Sequence, residues 1–402
     1  MENEKKIVPQ LRFSEFKDSY KEYKLSELLI RYSENNKDEE FGIDEILSLS
    51  SHYGVVDRKG LLDETYSKVN HKNYIKTSLN DIVYGKSISA NYPYGLFKVN
   101  DCRDGLLSTL YYTFKVSENI IPSYFDSYFS HYSRANNFLK KYVLVGDRYI
   151  TADANYILSG KIFIPTLQEQ QKTTSFIAVI NKQIQILGEK INLLEHFKKG
   201  VMQKLFNQKL RFKDEVGNEF NEWKNLQIGD VFLNRSEKTT EILELLSVTI
   251  GNGVCKQSEI SKNDSSSRDK SNYKRVYKND IAYNSMRMWQ GAVGVSNYDG
   301  IVSPAYTILE PKSNCYPKFF EYYFKTVPML RKFQRNSQGL TSDTWNLKYP
   351  QLSKIKISVP VIEEQIKIAD FLSRIDSNID VINGKIEHTV SFKKGLLQRM
   401  FV

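Results

Sequence analysis

Cysteine is scarce in this chain: Cys102, Cys255 and Cys315 are the three cysteines among 402 residues, and they lie far apart. They form no zinc-ligand or Cys-x-x-Cys spacing, which fits a reducing compartment. Long apolar runs are also missing, since none approaches the roughly 20 residues that cross a bilayer. The charged N-terminus is not followed by the apolar stretch of a signal peptide. We therefore expect a cytoplasmic protein with no membrane partner.

The sequence also lacks the short motifs that carry out catalysis or hold a cofactor. It has no glycine-rich loop ending in Gly-Lys-Ser/Thr, no Gly-x-Gly-x-x-Gly and no His-Glu-x-x-His. The Asn/Asp-Pro-Pro-Tyr/Phe tetrapeptide of amino-methyltransferases is absent too. The five histidines have no metal-ligand spacing, and we expect His196 and His388 on the solvent faces of helices. We therefore expect no catalytic residue, no metal and no cofactor in this chain, which is not an enzyme on its own.

Positive charge and tyrosine, by contrast, are abundant. Lysine and arginine number 57 against 47 aspartates and glutamates, giving a formal net charge of +10. Such a balance favours a polyanionic partner. The 26 tyrosines suit surfaces that are both apolar and able to form hydrogen bonds. The chain is long enough for two or three domains, each with its own core.

The chain repeats itself with an offset of about 195 residues. Residues 121–206 align with residues 316–401 without a gap. Shorter matches precede this block in the same order in both copies: Leu11-Arg12-Phe13 with Leu210-Arg211-Phe212, Leu47-Ser48-Leu49 with Leu246-Ser247-Val248, and Asn80-Asp81-Ile82-Val83-Tyr84 with Asn279-Asp280-Ile281-Ala282-Tyr283. Short β-branched and aromatic runs bounded by Asn, Asp and Gly predict strands joined by turns. A repeat of domain size indicates a tandem duplication, which presents two similar surfaces.

Each copy ends in a long segment whose apolar residues alternate three and four positions apart, as on the seam of a coiled coil. The seam positions are Ile177, Ile180, Ile184, Leu187, Ile191 and Leu194 in the first copy, and Leu372, Ile375, Ile379, Ile382 and Ile386 in the second. Pro165 and Pro360 precede the two segments, where proline is tolerated. Lys198 and Lys393 also fall on the seam, where a polar residue fixes the register at some cost in stability.

Neither long helix is stable alone with one apolar stripe exposed. The simplest arrangement pairs the two helices with each other, because their length and register match throughout. The alternative is that each helix packs on its own domain. The first helix, predicted from Gln168 to Phe206, has 39 residues and a length of about 58 Å.

Between the matched segments the two copies differ, and residues 85–104 bear no resemblance to residues 284–299. The unmatched loops carry side chains suited to base edges and phosphates: Arg58, Lys59, Lys86, Ser87, Asn91, Tyr92, Arg148 and Tyr149 in the first half, and Arg268, Lys270, Lys274, Arg275, Arg287, Trp289, Gln290, Gln338, Thr341 and Ser342 in the second. Arg and Lys bond guanine, Asn and Gln bond adenine, and the remaining cations contact phosphates. A common scaffold with different loops is what two readers of different DNA sequences need.

The loop that contains Arg287 and Trp289 leaves two interpretations open. In one, Trp289 completes the core of the second domain. In the other, Trp289 supports a loop from which Arg287 or Gln290 enters the major groove of DNA.

Several of these segments resemble the specificity subunits of type I DNA restriction–modification enzymes, and the resemblance covers essentially the full length. The opening Pro9-Gln10-Leu11-Arg12-Phe13-Ser14-Glu15-Phe16 is similar to the family's N-terminal phrase. The Pro-x-x-x-Glu-Gln segments at 165–170 and 360–365, each leading into a heptad helix with Lys-Lys-Gly, resemble its two spacer regions. The segment 335–341 resembles a polar stretch before the second spacer, and the first half departs from it at 143–148.

This resemblance implies an α+β fold with pseudo-twofold symmetry. Two tandem mixed α/β target recognition domains, 1–165 and 208–359, would be separated by two spacer helices, 166–207 and 360–402, forming an antiparallel coiled coil. Each domain would read one half of a bipartite site in double-stranded DNA, and the helices would set the gap.

The resemblance also implies partner proteins. Two modification subunits would bind S-adenosylmethionine, and two restriction subunits would use ATP, with Mg²⁺ also held by partner subunits. Two other functions stay open at this point: a coiled-coil adaptor that binds only proteins, and a stand-alone DNA nuclease.

Overall fold

A computed structural model of the protein describes residues 7–51, 53–57, 70–86, 89–146, 150–239, 241, 243–260 and 269–402. The chain forms two compact units, one of Met1–Gly188 with Gly384–Val402 and one of Glu189–Asn383. Both long helices are divided between the units, whereas the four segments predicted from the sequence keep each helix whole. The roles assigned to those four segments therefore stay a prediction.

The elements of the first copy are β1 (Lys21–Lys24), α1 (Leu25–Leu28), β2 (Leu29–Tyr32), β3 (Leu47–Ser50), β4 (Gly54–Asp57), β5 (Ile75–Thr77), β6 (Ile82–Gly85), β7 (Leu96–Val99), β8 (Gly105–Leu107), β9 (Tyr111–Val116), α2 (Pro122–Phe129), α3 (Tyr132–Leu139), β10 (Val143–Val145), β11 (Ile150–Ala152), α4 (Ala154–Leu158), β12 (Lys161–Ile164) and α5 (Leu167–Phe206). Those of the second copy are β13 (Lys224–Gln227), α6 (Ile228–Val231), β14 (Phe232–Arg235), β15 (Leu246–Thr249), β16 (Gly253–Lys256), β17 (Lys274–Val276), β18 (Ile281–Asn284), β19 (Val293–Val295), β20 (Gly300–Val302), β21 (Tyr306–Pro311), α7 (Pro317–Phe324), α8 (Val327–Asn336), α9 (Tyr349–Leu352), β22 (Lys356–Val359) and α10 (Ile362–Arg399).

The first unit is built on a four-stranded antiparallel sheet in the order β2-β9-β6-β7. Two-stranded antiparallel pairs β1-β12, β3-β4, β5-β8 and β10-β11 accompany it. Because side chains alternate along a strand, one face of this sheet is apolar. Leu29, Ile82, Tyr84, Phe97 and Phe114 lie on that face and share a buried core with helices α2 and α3.

The second unit repeats the four-stranded sheet and three of these four pairs. Its four-stranded sheet has the order β14-β21-β18-β19, and its pairs are β13-β22, β15-β16 and β17-β20. Phe232, Ile281, Tyr283, Val293 and Leu309 form the equivalent apolar face, which packs with helix α7. The duplicated scaffold predicted from the sequence is confirmed.

A matched tight turn introduces strands β6 and β18. Asn80 and Asn279 adopt φ angles of 71° and 74° there, a left-handed conformation that asparagine tolerates better than most residues. The next residue, Asp81 or Asp280, is buried and accepts a hydrogen bond from the backbone N–H three positions earlier. The repeated Asn-Asp pair is therefore a structural turn motif.

The long helices α5 and α10 contribute to the cores of both units. In the first unit, Ile177 of α5 shares a core with Leu396 of α10. In the second unit, Leu205 of α5 shares a core with Leu372 of α10. The start of each helix therefore lies with the end of the other, so the predicted antiparallel coiled coil is confirmed.

Seam residues along both helices are withdrawn from solvent. Ile177, Ile180, Leu372, Ile375 and Ile382 are buried, and Ile184, Leu187, Ile191, Leu194, Ile379 and Ile386 are half-buried. Lys198 forms an ion pair with Asp376 in the second unit. Burial lowers the pKa of Lys393 in the first unit. His196 and His388 are exposed, as the sequence predicted.

The repeated Leu-Arg-Phe and Glu-Gln segments meet at the start of each long helix. Arg12 donates to Glu169 at 2.8 and 2.7 Å, and Arg211 donates to Glu364 at 3.1 and 2.8 Å. The glutamates are 2% and 0% exposed, so each pair is shielded on its carboxylate side. Trp223 adds a third donor to Glu364, at 3.2 Å.

The glutamine that follows each of these glutamates ties the start of the long helix to the residue just before α2 or α7. Gln170 accepts from the backbone of Ile121 at 2.9 Å and donates to the carbonyl of Pro165 at 3.0 Å. Gln365 makes the same bonds to Tyr316 and Pro360. Both glutamines are buried, so these motifs fasten each helix to its unit.

Candidate nucleic-acid interface

In the second unit, the connection after β18 forms a compact turn with a buried base. Met288 is fully buried, and Trp289 packs partly against the same core while its Nε1 donates to the carbonyl of Met286 at 3.2 Å. Arg287 and Gln290 are half-exposed. Among the described residues, neither side chain has a hydrogen bond or an ion pair. Trp289 therefore packs against the core of the second unit, and the entry of Arg287 or Gln290 into the major groove stays a prediction.

A second loop, residues 338–346, lies against this turn. Gln338 and Asn346 form an isolated antiparallel bridge that closes the loop. The rings of Trp289 and Trp345 meet edge to face with centroids 5.1 Å apart, and the backbone of Leu347 donates to the carbonyl of Ser285 at 2.8 Å. The structure therefore brings together two segments that the sequence singled out separately.

Side chains on this loop are open to solvent. Gln338, Thr341 and Ser342 are all exposed. Thr341 and Thr344 are held by mutual hydrogen bonds, including one from the Thr341 backbone N–H to Thr344 Oγ1 at 3.1 Å. The loop therefore has a defined conformation, with Gln338 and Ser342 available to a ligand.

Both units anchor the chain at one matched position with a tyrosine hydroxyl. Tyr112 donates to the carbonyl of Ala152 at 2.7 Å, and in the second unit Tyr283 donates to the carbonyl of Leu347 at 2.9 Å. Ala152 and Leu347 are matched positions of the repeat. The first half departs from the family's polar stretch at 143–148, yet the backbone shortly after this segment is anchored as it is in the second half.

The remaining first-half candidates have different surroundings. Lys86 is half-buried, with its Nζ 3.9 Å from the centroid of the Tyr112 ring. Asn91 is exposed, and its carbonyl accepts from Asn136 at 2.9 Å. Tyr92 packs against the core and donates to the carbonyl of Ser130 at 3.2 Å. Burial raises the pKa of Tyr92, and of these three residues Asn91 alone is exposed.

The two cationic side chains of strand β17, Lys274 and Arg275, contact other groups of the protein. Lys274 Nζ donates to the carbonyls of Pro304 and Tyr306 at 3.0 and 2.6 Å, and burial lowers the pKa of Lys274. Arg275 forms an ion pair with Glu241 at 2.6 Å. Both side chains therefore stabilise the unit in this conformation.

Lys270 lies nearby with its Nζ 4.8 Å from the Tyr273 ring. The other sequence candidates, Arg58, Lys59, Ser87, Arg148, Tyr149 and Arg268, lie outside the described residues. Sequence reasoning missed Arg31, Tyr112 and Trp345. Arg31 lies in strand β2, two positions after the core residue Leu29. Because side chains alternate along a strand, the sequence could have placed Arg31 on the same face of the sheet as Leu29.

Among the described residues, no three histidine, cysteine, aspartate or glutamate side chains are grouped so that they could hold a metal ion. Within the same residues, no helix is long and apolar enough to cross a membrane. Each of the two repeated units thus carries loops with polar side chains.

Known proteins share this sequence pattern and fold. A family model described as the type I restriction modification DNA specificity domain matches residues 221–389. A protein of Methanocaldococcus jannaschii, named "Putative type I restriction enzyme MjaX specificity subunit", is 21% identical over 302 residues, which cover 70% of this chain and 68% of the relative.

The same fold occurs in a crystal structure of a type I restriction-modification system S subunit from M. genitalium. That structure has a TM-score of 0.58 and 13% sequence identity, covering 98% of this chain and 99% of the other. The α+β fold with two domains and a coiled coil inferred from the sequence is therefore confirmed. Residues 221–389 carry a type I restriction modification DNA specificity domain, and the chain as a whole is similar to specificity subunits of type I restriction enzymes.

Proposed function

We propose that this chain reads a bipartite site in double-stranded DNA, with each unit reading one half. One observation carries the proposal: two sheets of identical strand order carry loops at matched positions with different side chains. Just after the matched strands β6 and β18, for example, the first unit carries Lys86 where the second unit carries Ser285. The two matched scaffolds hold their loops at equivalent positions, and loops with different side chains recognise different bases.

The long helices set the gap between the half-sites and dock the partner subunits. Two similar repeats in one chain give two similar docking surfaces for two copies of one partner. The partners are two modification subunits, which bind S-adenosylmethionine, and two restriction subunits, which use ATP; Mg²⁺ is likewise held by partner subunits. This chain supplies recognition and no catalytic group, and it acts in the cytoplasm on cellular DNA.

Sequencing the methylated positions in the host genome tests this function. The expected result is a motif of two short specified sequences separated by an unspecified gap of fixed length. Deleting this gene should abolish methylation of that motif alone, and restoring the gene should return it. A methylation pattern unchanged by the deletion would contradict the proposal.

The two rival functions give different results with purified protein. A coiled-coil adaptor would show no salt-dependent binding to duplex DNA, whereas a DNA reader loses affinity steeply as salt rises. A stand-alone nuclease would cleave DNA when incubated with Mg²⁺ and no partner subunit. We expect salt-dependent binding without cleavage.

A further inference from the structure

Arg31 shares a sheet face with Lys86 in the first unit. Arg31 pairs in register with Phe114 on β9, and Tyr84, two residues before Lys86, pairs with Tyr112 on the same strand. Directly opposed residues in an antiparallel pair share a face, and residues two apart along a strand do as well. Arg31, Tyr112 and Lys86 therefore emerge together across the neighbouring strands β2, β9 and β6.

Both cations lie over the same aromatic ring. Arg31 Cζ is 4.6 Å and Lys86 Nζ is 3.9 Å from the centroid of the Tyr112 ring. The ring is held in place, because its hydroxyl donates to the carbonyl of Ala152 and its face stacks with the Tyr84 ring at a centroid distance of 6.2 Å. Cation–π attraction orients each charge, so the two charges are placed before any ligand arrives.

No carboxylate neutralises these two charges among the described residues. Other cations on the scaffold do have acidic partners: Lys115 pairs with Asp81 at 3.3 Å, and Arg235 pairs with Asp280 at 2.9 Å. Two cations without a carboxylate partner favour an anionic ligand.

The second unit shows that the scaffold does not need this cluster. By strand register and repeat alignment, the equivalents of Arg31, Tyr112 and Lys86 are Asn234, Thr307 and Ser285. All three are uncharged, yet the sheet has the same strand order. The scaffold therefore forms without a cationic cluster at this position.

We propose that Arg31 and Lys86, held on Tyr112, bind a backbone phosphate of DNA beside the first half-site. This inference rests on the proposed function, since it assumes that the first unit binds DNA. A phosphate fits better than a base edge, because the lysine ammonium acts as a point charge and phosphate contacts position a protein on the duplex. Such a contact fixes the position of the first unit on the duplex.

The salt dependence of DNA affinity tests the phosphate contact. The complex is purified from the host with Arg31→Gln, with Lys86→Gln, and with both substitutions, and bound to a duplex carrying the methylated motif. Losing this one phosphate contact in the double variant should reduce the slope of log affinity against log salt by about 0.9, and each single variant should reduce it by part of that. The loss should be uniform across DNA sequences.

Two controls sharpen this result. Arg31→Lys keeps the charge and should keep the slope, and Lys21→Gln removes an exposed cation from strand β1 and should leave the slope unchanged. Thermal melting checks each variant, and if the double variant is unstable the single variants decide.

An unchanged slope in well-folded Arg31→Gln and Lys86→Gln, with motif-dependent binding retained, would overturn this inference alone. So would a loss confined to one base position at constant slope, because that marks a base contact. A wild-type complex that shows no preference for the motif would overturn the proposed function instead.

Discussion

At the scale of single residues, the scaffold holds its variable loops through main-chain atoms. The carbonyls of Ala152 and Leu347 occupy matched positions, but the first accepts from Tyr112 on β9 and the second from Tyr283 on β18. A backbone acceptor is present whatever side chain the loop carries. The loop sequence is therefore free to change while its anchor stays.

Sequence reasoning found the residue types of the candidate site better than their surroundings. Lys274 and Arg275 looked like DNA contacts, yet their donors go to carbonyls and to Glu241. Arg31 looked like an ordinary strand residue. The sequence does not show which group a cation contacts when that group lies tens of residues away in the chain. The fold decides which carboxylate or carbonyl comes within reach.

Arg287→Ala should relax the choice of base at one position of the second half-site. Losing one bidentate base contact costs about 1–3 kcal/mol of discrimination, and Arg287 has no side-chain partner among the described residues that its loss would leave unsatisfied. Binding to a panel of duplexes with single base changes measures the effect. Arg374→Ala, an exposed arginine on α10, is the matched control.

Two results would count against this role for Arg287. Weaker binding to every duplex would mark it as a phosphate contact. A lower melting temperature with unchanged DNA selectivity would show that Arg287 stabilises the protein and does not read a base.

Glu364→Gln should destabilise the second unit by about 3 kcal/mol, because it leaves Arg211 without its anion beside a 0% exposed side chain. The half-site preference should not change. Denaturant unfolding of the full chain measures the loss. Glu363→Gln removes a neighbouring exposed carboxylate and should cost nothing measurable; equal stability of the two variants would show that the buried pair is not needed.

At the scale of elements, the long helices were the most predictable part of the chain. Their heptad spacing requires a facing apolar partner, and proline marks each start, so length, register and pairing all followed from the sequence. The short strands were predictable as a group but their order was not. The neighbours β2 and β9 are separated by some 80 residues, and no local pattern encodes a pairing at that distance.

Inserting three heptads after Gly188 and three after Asn383 should lengthen the gap in the DNA motif. Each helix grows by about 31 Å, which equals about nine base pairs and approaches one helical turn, so the half-sites stay near one face of the duplex. The methylated motif of cells carrying the insertion reports the gap. The half-site sequences should be unchanged.

The control for this insertion has the same length but a scrambled order without heptad spacing, and it should abolish methylation because the seam is broken. Methylation at the original spacing in the heptad variant would show that the helices are not a ruler.

At the scale of the whole molecule, duplication explains the plan of the chain. Two units of equal strand order carry loops that differ, and both are tied to the long helices by the same buried Arg–Glu pair. Matched Gln170 and Gln365 repeat the attachment. Conserving the attachment and varying the loops lets each unit change its DNA preference without disturbing the other.

The most direct test of this account replaces residues 208–359 with the corresponding segment of a relative that methylates a different motif. Residues 1–207 and 360–402 stay as they are, so the first unit's loops and both helices are retained. The genome of cells carrying the chimera is then sequenced for methylated positions. We predict a motif in which one half is new, the other half is the original and the gap is unchanged. A motif in which both halves change, or in which neither does, would contradict the claim that the two units read DNA independently.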